Sequence, residues 1–200
     1  MAVATKPVPD HPKSGYSRLW TVLPAALLLA ILGLDWLQFS HRWGNVVIGL
    51  LDEPAHLATG ALVLLAVAGP SWLLLHRLCA CTALFFAMAI DADHIPYYLG
   101  VRFIVDDGRP LPHSLATVLL LLLIGAVLPV RSFPRLRPVV LGAGAGVALH
   151  LIRDVGNGPG LPLFWPFTTA NVIVPYGIYA AAIVLFAVLA SVRMIQFLSR

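Results

Sequence analysis

Residues 138–155 read PVVLGAGAGVALHLIRDV, and this stretch decides the class of the fold. A transmembrane helix needs about 20 predominantly apolar residues to cross a hydrocarbon core roughly 30 Å thick. The stretch is almost wholly apolar, yet it carries His150 and Asp154 four residues apart. Because ionisable groups are costly inside a bilayer, they mark a functional site by default. The stretch therefore predicts a membrane span that carries part of a site.

The composition extends this interpretation to the whole chain. Its 200 residues are 60% hydrophobic and only 11% charged, whereas soluble domains are about 45–50% apolar and about 25% charged. So few charges cannot cover a soluble surface. This excludes an ordinary cytoplasmic globule, a disordered chain and a disulfide-rich secreted domain, and it predicts a polytopic helical membrane protein.

Six apolar runs are long enough to be candidate spans. We therefore predict an all-α fold, a transmembrane helical bundle of about six spans. Residues 1–18 are expected to form a flexible cytoplasmic tail, and residues 19–200 a single transmembrane domain. The predicted spans are 19–39, 46–68, 72–91, 113–130, 138–155 and 171–198.

The basic residues predict the orientation of these spans. With the N-terminus inside, nine of the 13 lysines and arginines fall at cytoplasmic ends and four at outer ends. This bias favours both termini inside a bacterial cytoplasmic (inner) membrane, in contact with membrane lipids. The basic residues are spread along the chain, which argues against nucleic-acid binding. The sequence leaves the oligomeric state open.

Ionisable side chains recur near the ends of four of the predicted spans. In alternating spans all four clusters lie on the outer, non-cytoplasmic side, and neighbours three or four residues apart share a helix face. Four histidines with several carboxylates form a mixed nitrogen and oxygen ligand set that suits zinc, or else manganese or iron. The clusters are Asp52-Glu53 with His56, Asp91 and Asp93 with His94, His113-Ser114, and His150 with Asp154.

Single members of these clusters also fit structural roles. Asp35 fits a charge at a helix end, and Asp52 or Glu53 fits an N-cap.

Ser114 lies two residues after Pro112, at a predicted helix start, where free N–H groups favour an anion such as phosphate. Arg109 is expected to supply a second contact to that anion.

Four segments, in order, resemble a family of bacterial inner-membrane metal-dependent hydrolases described as YdjM-like or LexA-binding. They are Ala55-His56 with Gly60, Asp91-Ala92-Asp93-His94, Pro112-His113-Ser114, and His150-Leu151-Ile152-Arg153-Asp154 running into residues 157–166. The resemblance implies a metal-dependent hydrolase with distant kinship to zinc phospholipase C-like enzymes. Its implied metal or catalytic residues are His56, Asp91, Asp93, His94, His113, His150 and Asp154.

The chain departs from the family pattern at three positions. Gly108 stands where the family has a histidine, and Pro112 and Asn157 stand where it has threonines. The missing histidine leaves Asp52, Glu53 or water to fill a ligand position.

These observations predict a membrane-embedded hydrolase that cleaves a phosphoester, in a lipid or lipid-linked substrate, with metal-activated water. Glu53 and Asp93 are the predicted catalytic residues, and Arg109 and Ser114 the predicted anion contacts. The predicted metal ligands are His56, Asp91, His94, His113, His150 and Asp154. The alternatives are a divalent-metal or proton transporter and a non-catalytic membrane scaffold.

Overall fold

The computed structural model describes residues 16–93, 113–158 and 160–199. These residues form seven α-helices and one 3₁₀ helix, Ile90–Asp93. Within the described part there is no β-strand, only an isolated antiparallel bridge between Leu161 and Val172. The prediction of an all-helical fold is confirmed. The helices are α1 Tyr16–Ser40, α2 Asn45–Val67, α3 Pro70–Leu75, α4 Arg77–Ala89, α5 Leu115–Val127, α6 Leu136–Asn157 and α7 Tyr176–Leu198.

Among the described residues, four helices are long and apolar enough to cross a membrane: Trp20–Ser40, Val46–Val67, Leu136–Asn157 and Tyr176–Leu198. The third predicted run is instead divided at His76 into α3 and α4. The fourth run gives only α5, whose 13 residues extend about 20 Å, less than the roughly 30 Å core. The structure thus supports a multi-pass protein, while six spans and the inside position of both termini stay predictions.

The bundle exposes large apolar side chains and buries several ionisable ones within its apolar core. Large apolar side chains are exposed, with Leu29 at 70% and Leu119 at 65%. The fully buried side chains include His56, His150 and Arg153. A protein in water has the reverse distribution, because apolar groups leave water and charges stay in it. Lipid around the bundle accounts for both features.

Two glycines let α4 and α6 pack unusually close. A Cβ atom at Gly142 would lie 2.5 Å from the Cys79 carbonyl oxygen, and one at Gly146 would lie 2.5 Å from the Ala83 carbonyl oxygen. From the first contact to the second, both helices move on by four residues, or about one turn. One face of α6 therefore packs along one face of α4. Small residues at this spacing are a common way to bring membrane helices together.

The segment between α6 and α7 packs against the start of α5. Leu161 is fully buried in a cluster with Val118 and Leu151, and the backbone N–H of Leu115 donates to the Leu163 carbonyl at 2.9 Å. This hydrogen bond satisfies one of the free donors in the first turn of α5. It also places His113, which directly precedes that turn, in the interior of the bundle.

Candidate metal centre

Five predicted ligands converge inside the bundle from four different parts of the chain. His56 comes from α2, Asp91 from the 3₁₀ helix, His113 from the residues before α5, and His150 and Asp154 from α6. The side chains of all three histidines have no exposed surface. Residues far apart in sequence thus form one buried cluster.

One group of four could hold a metal ion: Asp91, His113, His150 and Asp154, whose ligand atoms all lie within 4.8 Å of one another. Asp91 Oδ1 lies 3.1 Å from His113 Nε2 and 3.3 Å from His150 Nε2. Asp154 Oδ2 lies 3.2 Å from His150 Nε2. Two imidazoles and two carboxylates are a ligand set that zinc, manganese or iron accepts.

The tautomer of His150 follows from its contact with α4. Its Nδ1 lies 3.0 Å from the Ala87 carbonyl oxygen, which only accepts hydrogen bonds, so Nδ1 donates. The neutral ring then carries its lone pair on Nε2. A histidine ligand is commonly oriented in this way, with one nitrogen donating to a carbonyl and the other facing the metal. His150 lies one turn after Gly146 on α6, and Ala87 lies one turn after Ala83 on α4. The close contact between the two helices therefore brings the Ala87 carbonyl within hydrogen-bond distance of His150.

The lone pair of His150 faces other acceptors. Nε2 is buried and, among the described atoms, has no partner with hydrogen-bond geometry, although carboxylate oxygens of Asp91 and Asp154 lie 3.2–3.3 Å away. Acceptors that face one another are stabilised by a cation between them. The observed geometry therefore fits a bound metal ion.

His113 is positioned by the start of α5. Ser114 is the N-cap residue, and its Oγ accepts a hydrogen bond from the Thr117 N–H at 3.3 Å. The capped turn holds His113 edge-on to His150, with ring centroids 5.0 Å apart. Ser114, a predicted anion contact, thus also has a structural role in the centre.

A second group shares Asp154 with the first. It consists of Asp52, His56 and Asp154, again with all ligand atoms within 4.8 Å. His56 Nε2 lies 3.2 Å from Asp154 Oδ1 and 3.6 Å from Asp52 Oδ2. The His56 ring stacks on the His150 ring, with centroids 3.9 Å apart and planes 6° from parallel.

A buried arginine next to this group was not among the predicted site residues. Arg153 has no exposed surface; its Nη1 lies 2.7 Å from Asp35 Oδ1 and its Nη2 lies 2.8 Å from Asp52 Oδ1. A buried charge persists only when it is paired and hydrogen-bonded. Arg153 therefore fixes Asp52 and ties α1 to the centre.

Further hydrogen bonds extend this network. Tyr176 donates to Asp35 Oδ2 at 3.0 Å, and Asn157 Nδ2 donates to Gln38 Oε1 at 3.0 Å. Gln38 also accepts from Arg153 Nη2 at 3.2 Å. Asp35 is the one acidic residue of the predicted first span. An ionisable residue in an apolar span indicates a buried partner, so Asp35 was the sequence signal for this network. Asn157, a departure from the family pattern, is part of it.

The structural roles predicted for three acidic residues are wrong. Helix α2 begins at Asn45 with Gly44 as its N-cap, so neither Asp52 nor Glu53 caps it. Asp35 has no exposed surface and pairs with Arg153, so it is not a solvated charge at a helix end. All three belong to the polar interior or its border.

Glu53 lies between the cluster and the outside of the bundle. It lines an apolar groove of about 430 Å³ together with Val46, Gly49, Leu50, Pro54, Leu57 and Met88. Its Oε2 is buried and accepts no hydrogen bond from the described residues. The charges of Asp91 and Asp52 and the rings of His56 and His150 are its electrostatic neighbours.

Some predicted positions lie outside the described residues. These are His94 and Arg109, together with two of the departures from the family pattern, Gly108 and Pro112. Asp93 ends the 3₁₀ helix, and its side chain is likewise not described.

Comparison with known proteins supports the resemblance noted above. Residues 51–199 match the sequence profile of the YdjM inner membrane protein family. The match covers most of the chain, from α2 to the end of α7, and includes every candidate metal ligand. The chain therefore belongs to this family. No curated protein and no solved structure matches it.

Proposed function

We propose that this member of the YdjM inner membrane protein family is a metal-dependent hydrolase of a phosphoester carried by a lipid or lipid-linked molecule. The observation that carries the proposal is the His150 ring. Its Nδ1 is held by the Ala87 carbonyl, while its buried Nε2 faces two carboxylates without hydrogen-bond geometry. This is the arrangement of a metal ligand oriented by a backbone carbonyl.

A bound divalent metal of this kind supplies water activation at neutral pH and polarises a phosphoryl oxygen. In the proposed reaction, water adds to phosphorus and the bond from phosphorus to the alcohol oxygen breaks. The products are a phosphate with one ester link fewer and a free alcohol. Glu53 accepts the proton from water and returns it to the departing alcohol, as a general acid–base residue does. Asp93 is the alternative for this role.

The groove beside Glu53 supports an amphipathic substrate. Its walls are apolar except for Glu53, and Leu50 and Val46 in it are 70% and 78% exposed. Apolar walls in contact with lipid suit a hydrocarbon chain, while Glu53 faces the polar cluster at the same place. A chain in this groove would present its phosphoester to the metal ligands. In the same proposal, Arg109 and the start of α5 at Ser114 bind the phosphate, and His94 is a further ligand.

The proposal is tested with purified protein in detergent, loaded with Zn²⁺ or Mn²⁺. The probes are phosphatidic acid and phosphatidylglycerol in mixed micelles, with bis(p-nitrophenyl) phosphate as a soluble diester. We expect release of phosphate or alcohol that EDTA abolishes and added metal restores. His150→Ala should lose this activity and its bound metal, whereas His76→Ala, which changes an exposed histidine between α3 and α4, should keep both. Equal activity in His150→Ala and the unchanged protein would refute the proposal.

A divalent-metal transporter is the second candidate, favoured by the depth of His56. This residue lies eleven positions after Asn45, the first residue of α2, which is about 16 Å along the helix at 1.5 Å per residue. Transporters bind their ions near the bilayer midplane. Metal uptake into proteoliposomes that needs His56, without any phosphoester cleavage, would favour this candidate. Unchanged metal content after alanine substitution of His56, His113 and His150 would favour a scaffold.

A further inference from the structure

We infer that the centre holds two divalent metal ions, and that Asp154 is the ligand they share. The first ion is the one of the proposed function, at Asp91, His113, His150 and Asp154. The second lies between Asp52, His56 and Asp154. The inference rests on the proposed function and deepens it, because it gives His56 and Asp52 a defined task as metal ligands.

Two carboxylates, of Asp154 and Asp91, direct their two oxygen atoms towards different imidazoles. Asp154 directs Oδ2 towards His150 and Oδ1 towards His56, each at 3.2 Å. Asp91 directs Oδ1 towards His113 and His150, and its Oδ2 lies 3.8 Å from His56. Asp154 thus presents one oxygen atom to each of the two ligand groups.

His56, like His150, has a buried ring nitrogen that faces carboxylate oxygens without hydrogen-bond geometry. Both ring nitrogens are buried, and within the described structure neither forms a hydrogen bond. A buried imidazole without any partner costs free energy, yet Nε2 is surrounded by oxygens of Asp52, Asp91 and Asp154. An ion bonded to Nε2 and these oxygens supplies the partner that the ring lacks.

Arg153 prepares Asp52 for this position. The guanidinium binds only Oδ1 of Asp52, at 2.9 Å from Nε and 2.8 Å from Nη2. The other oxygen, Oδ2, is left directed towards His56 at 3.6 Å. An oriented carboxylate of this kind typically has a partner of its own outside the ligand shell.

The spacing of the stacked rings agrees with a pair of ions. In two-metal sites the ions lie about 3.5–4 Å apart. The His56 and His150 rings are parallel and 3.9 Å apart, and both direct Nε2 towards the same carboxylates. Each of the two rings would hold one ion through its Nε2.

The formal charge of the interior also matches two ions. In the part of the chain that the structure describes, five carboxylates of the interior and its border accompany one buried guanidinium, Arg153, which leaves four formal negative charges with neutral histidines. Uncompensated charge is costly inside a bundle surrounded by lipid. Two divalent cations balance it, whereas one leaves half of it. The five carboxylates are Asp35, Asp52, Glu53, Asp91 and Asp154.

A pair of ions suits the phosphoester of the proposed function. Two adjacent ions stabilise both the attacking and the leaving oxygen in a displacement at phosphorus. The expected substrate therefore offers a phosphoryl group to both positions, with its apolar part in the groove beside Glu53.

The test is metal content and electron paramagnetic resonance of the whole protein in detergent, stripped with EDTA and titrated with Mn²⁺. We expect two Mn²⁺ per chain and, at full loading, the spectrum of two coupled ions. His56→Ala should bind one Mn²⁺ with an uncoupled six-line spectrum, and His76→Ala should keep two. Binding of one ion by the unchanged protein, or of two by His56→Ala, would overturn the second position.

The outcomes separate this inference from the proposed function. One bound ion with phosphoester hydrolysis that needs His150 leaves the hydrolase standing and removes the second ion. If the unchanged protein binds no ion at all, both the second ion and the proposed metal-dependent hydrolase are refuted. Should His56→Ala not fold, as judged by size-exclusion chromatography, the spectrum of the unchanged protein decides: a six-line signal without coupling at full loading overturns the pair.

Discussion

At the scale of single residues, the centre contains ionisable groups that pair with one another inside the described bundle. Arg153 shows this most clearly, because its guanidinium bonds to carboxylates from α1 and α2 and has no exposed surface. In the count of basic residues it looked like a charge at the outer membrane surface. Its charge is instead balanced by Asp35 and Asp52, so it carries little information on orientation.

Removal of this guanidinium tests its structural role. Arg153→Met leaves Asp35 and Asp52 buried without their cation, and breaking one side of a buried ion pair costs about 3–5 kcal/mol. We expect a loss of unfolding free energy of that size, measured by denaturant unfolding in detergent. Arg42→Met changes an exposed arginine and should have little effect. Equal stability of the two variants would contradict a structural role for Arg153.

At the scale of helices, the contact between α4 and α6 decides whether His150 is oriented for a metal. Gly142 and Gly146 allow the approach, and the next residue in that register on α6 is His150 itself. Three positions on one face of α6, each a turn apart, thus lie against three backbone carbonyls of α4. The pairs are Gly142 with Cys79, Gly146 with Ala83, and His150 with Ala87. The packing of two backbones sets the tautomer of one imidazole.

A methyl group at this contact should therefore affect metal binding at a distance. In Gly146→Ala the added Cβ would meet the Ala83 carbonyl at 2.5 Å, so the helices must separate and the Ala87 carbonyl moves away from His150. We expect a loss of about 1–3 kcal/mol of stability from overpacking. Loss of the partner outside the ligand shell should weaken metal affinity about 10- to 100-fold.

The matched control for this substitution is Gly33→Ala. Nothing lies within 4 Å of a Cβ at Gly33, and alanine favours helix over glycine by about 1 kcal/mol. This variant should be as stable as the unchanged protein or more so, with the same metal affinity. Unfolding curves and metal titrations in detergent measure both quantities. Unaltered metal affinity in Gly146→Ala would show that the helix contact does not orient His150.

At the scale of the whole molecule, the polar groups meet inside a shell of apolar side chains. That distribution agrees with the membrane family to which the chain belongs. The side of the membrane from which the centre is reached depends on the orientation, and for it the distribution of basic residues remains the guide.

Reporter fusions test the predicted orientation. With both termini inside, a fluorescent protein fused after residue 200 should be fluorescent, and alkaline phosphatase fused there should be inactive. Alkaline phosphatase fused after residue 45, in the first predicted outer loop, should be active because it folds only outside the cytoplasm. The reverse pattern would place the centre on the cytoplasmic side.

Much of the candidate site could be predicted because local spacing on a helix follows from helix geometry. His150 and Asp154 share a face wherever α6 lies, and each is conspicuous in an apolar run. The link between Arg153 and Asp35 could not be predicted in this way. These residues are 118 positions apart, and no periodicity pairs charges on different helices.

The sequence by itself determined the membrane class, the helical fold and the identity of the candidate ligands, since long apolar runs have few other environments and ionisable groups in them are costly. Only the tertiary structure decided how the ligands are grouped and oriented. The break at His76, the short α5, the carbonyl on His150 and the position of Asp52 all depend on contacts between distant segments. Those contacts depend on which helices pack against each other, and the local spacing of residues does not specify the partner of a helix face.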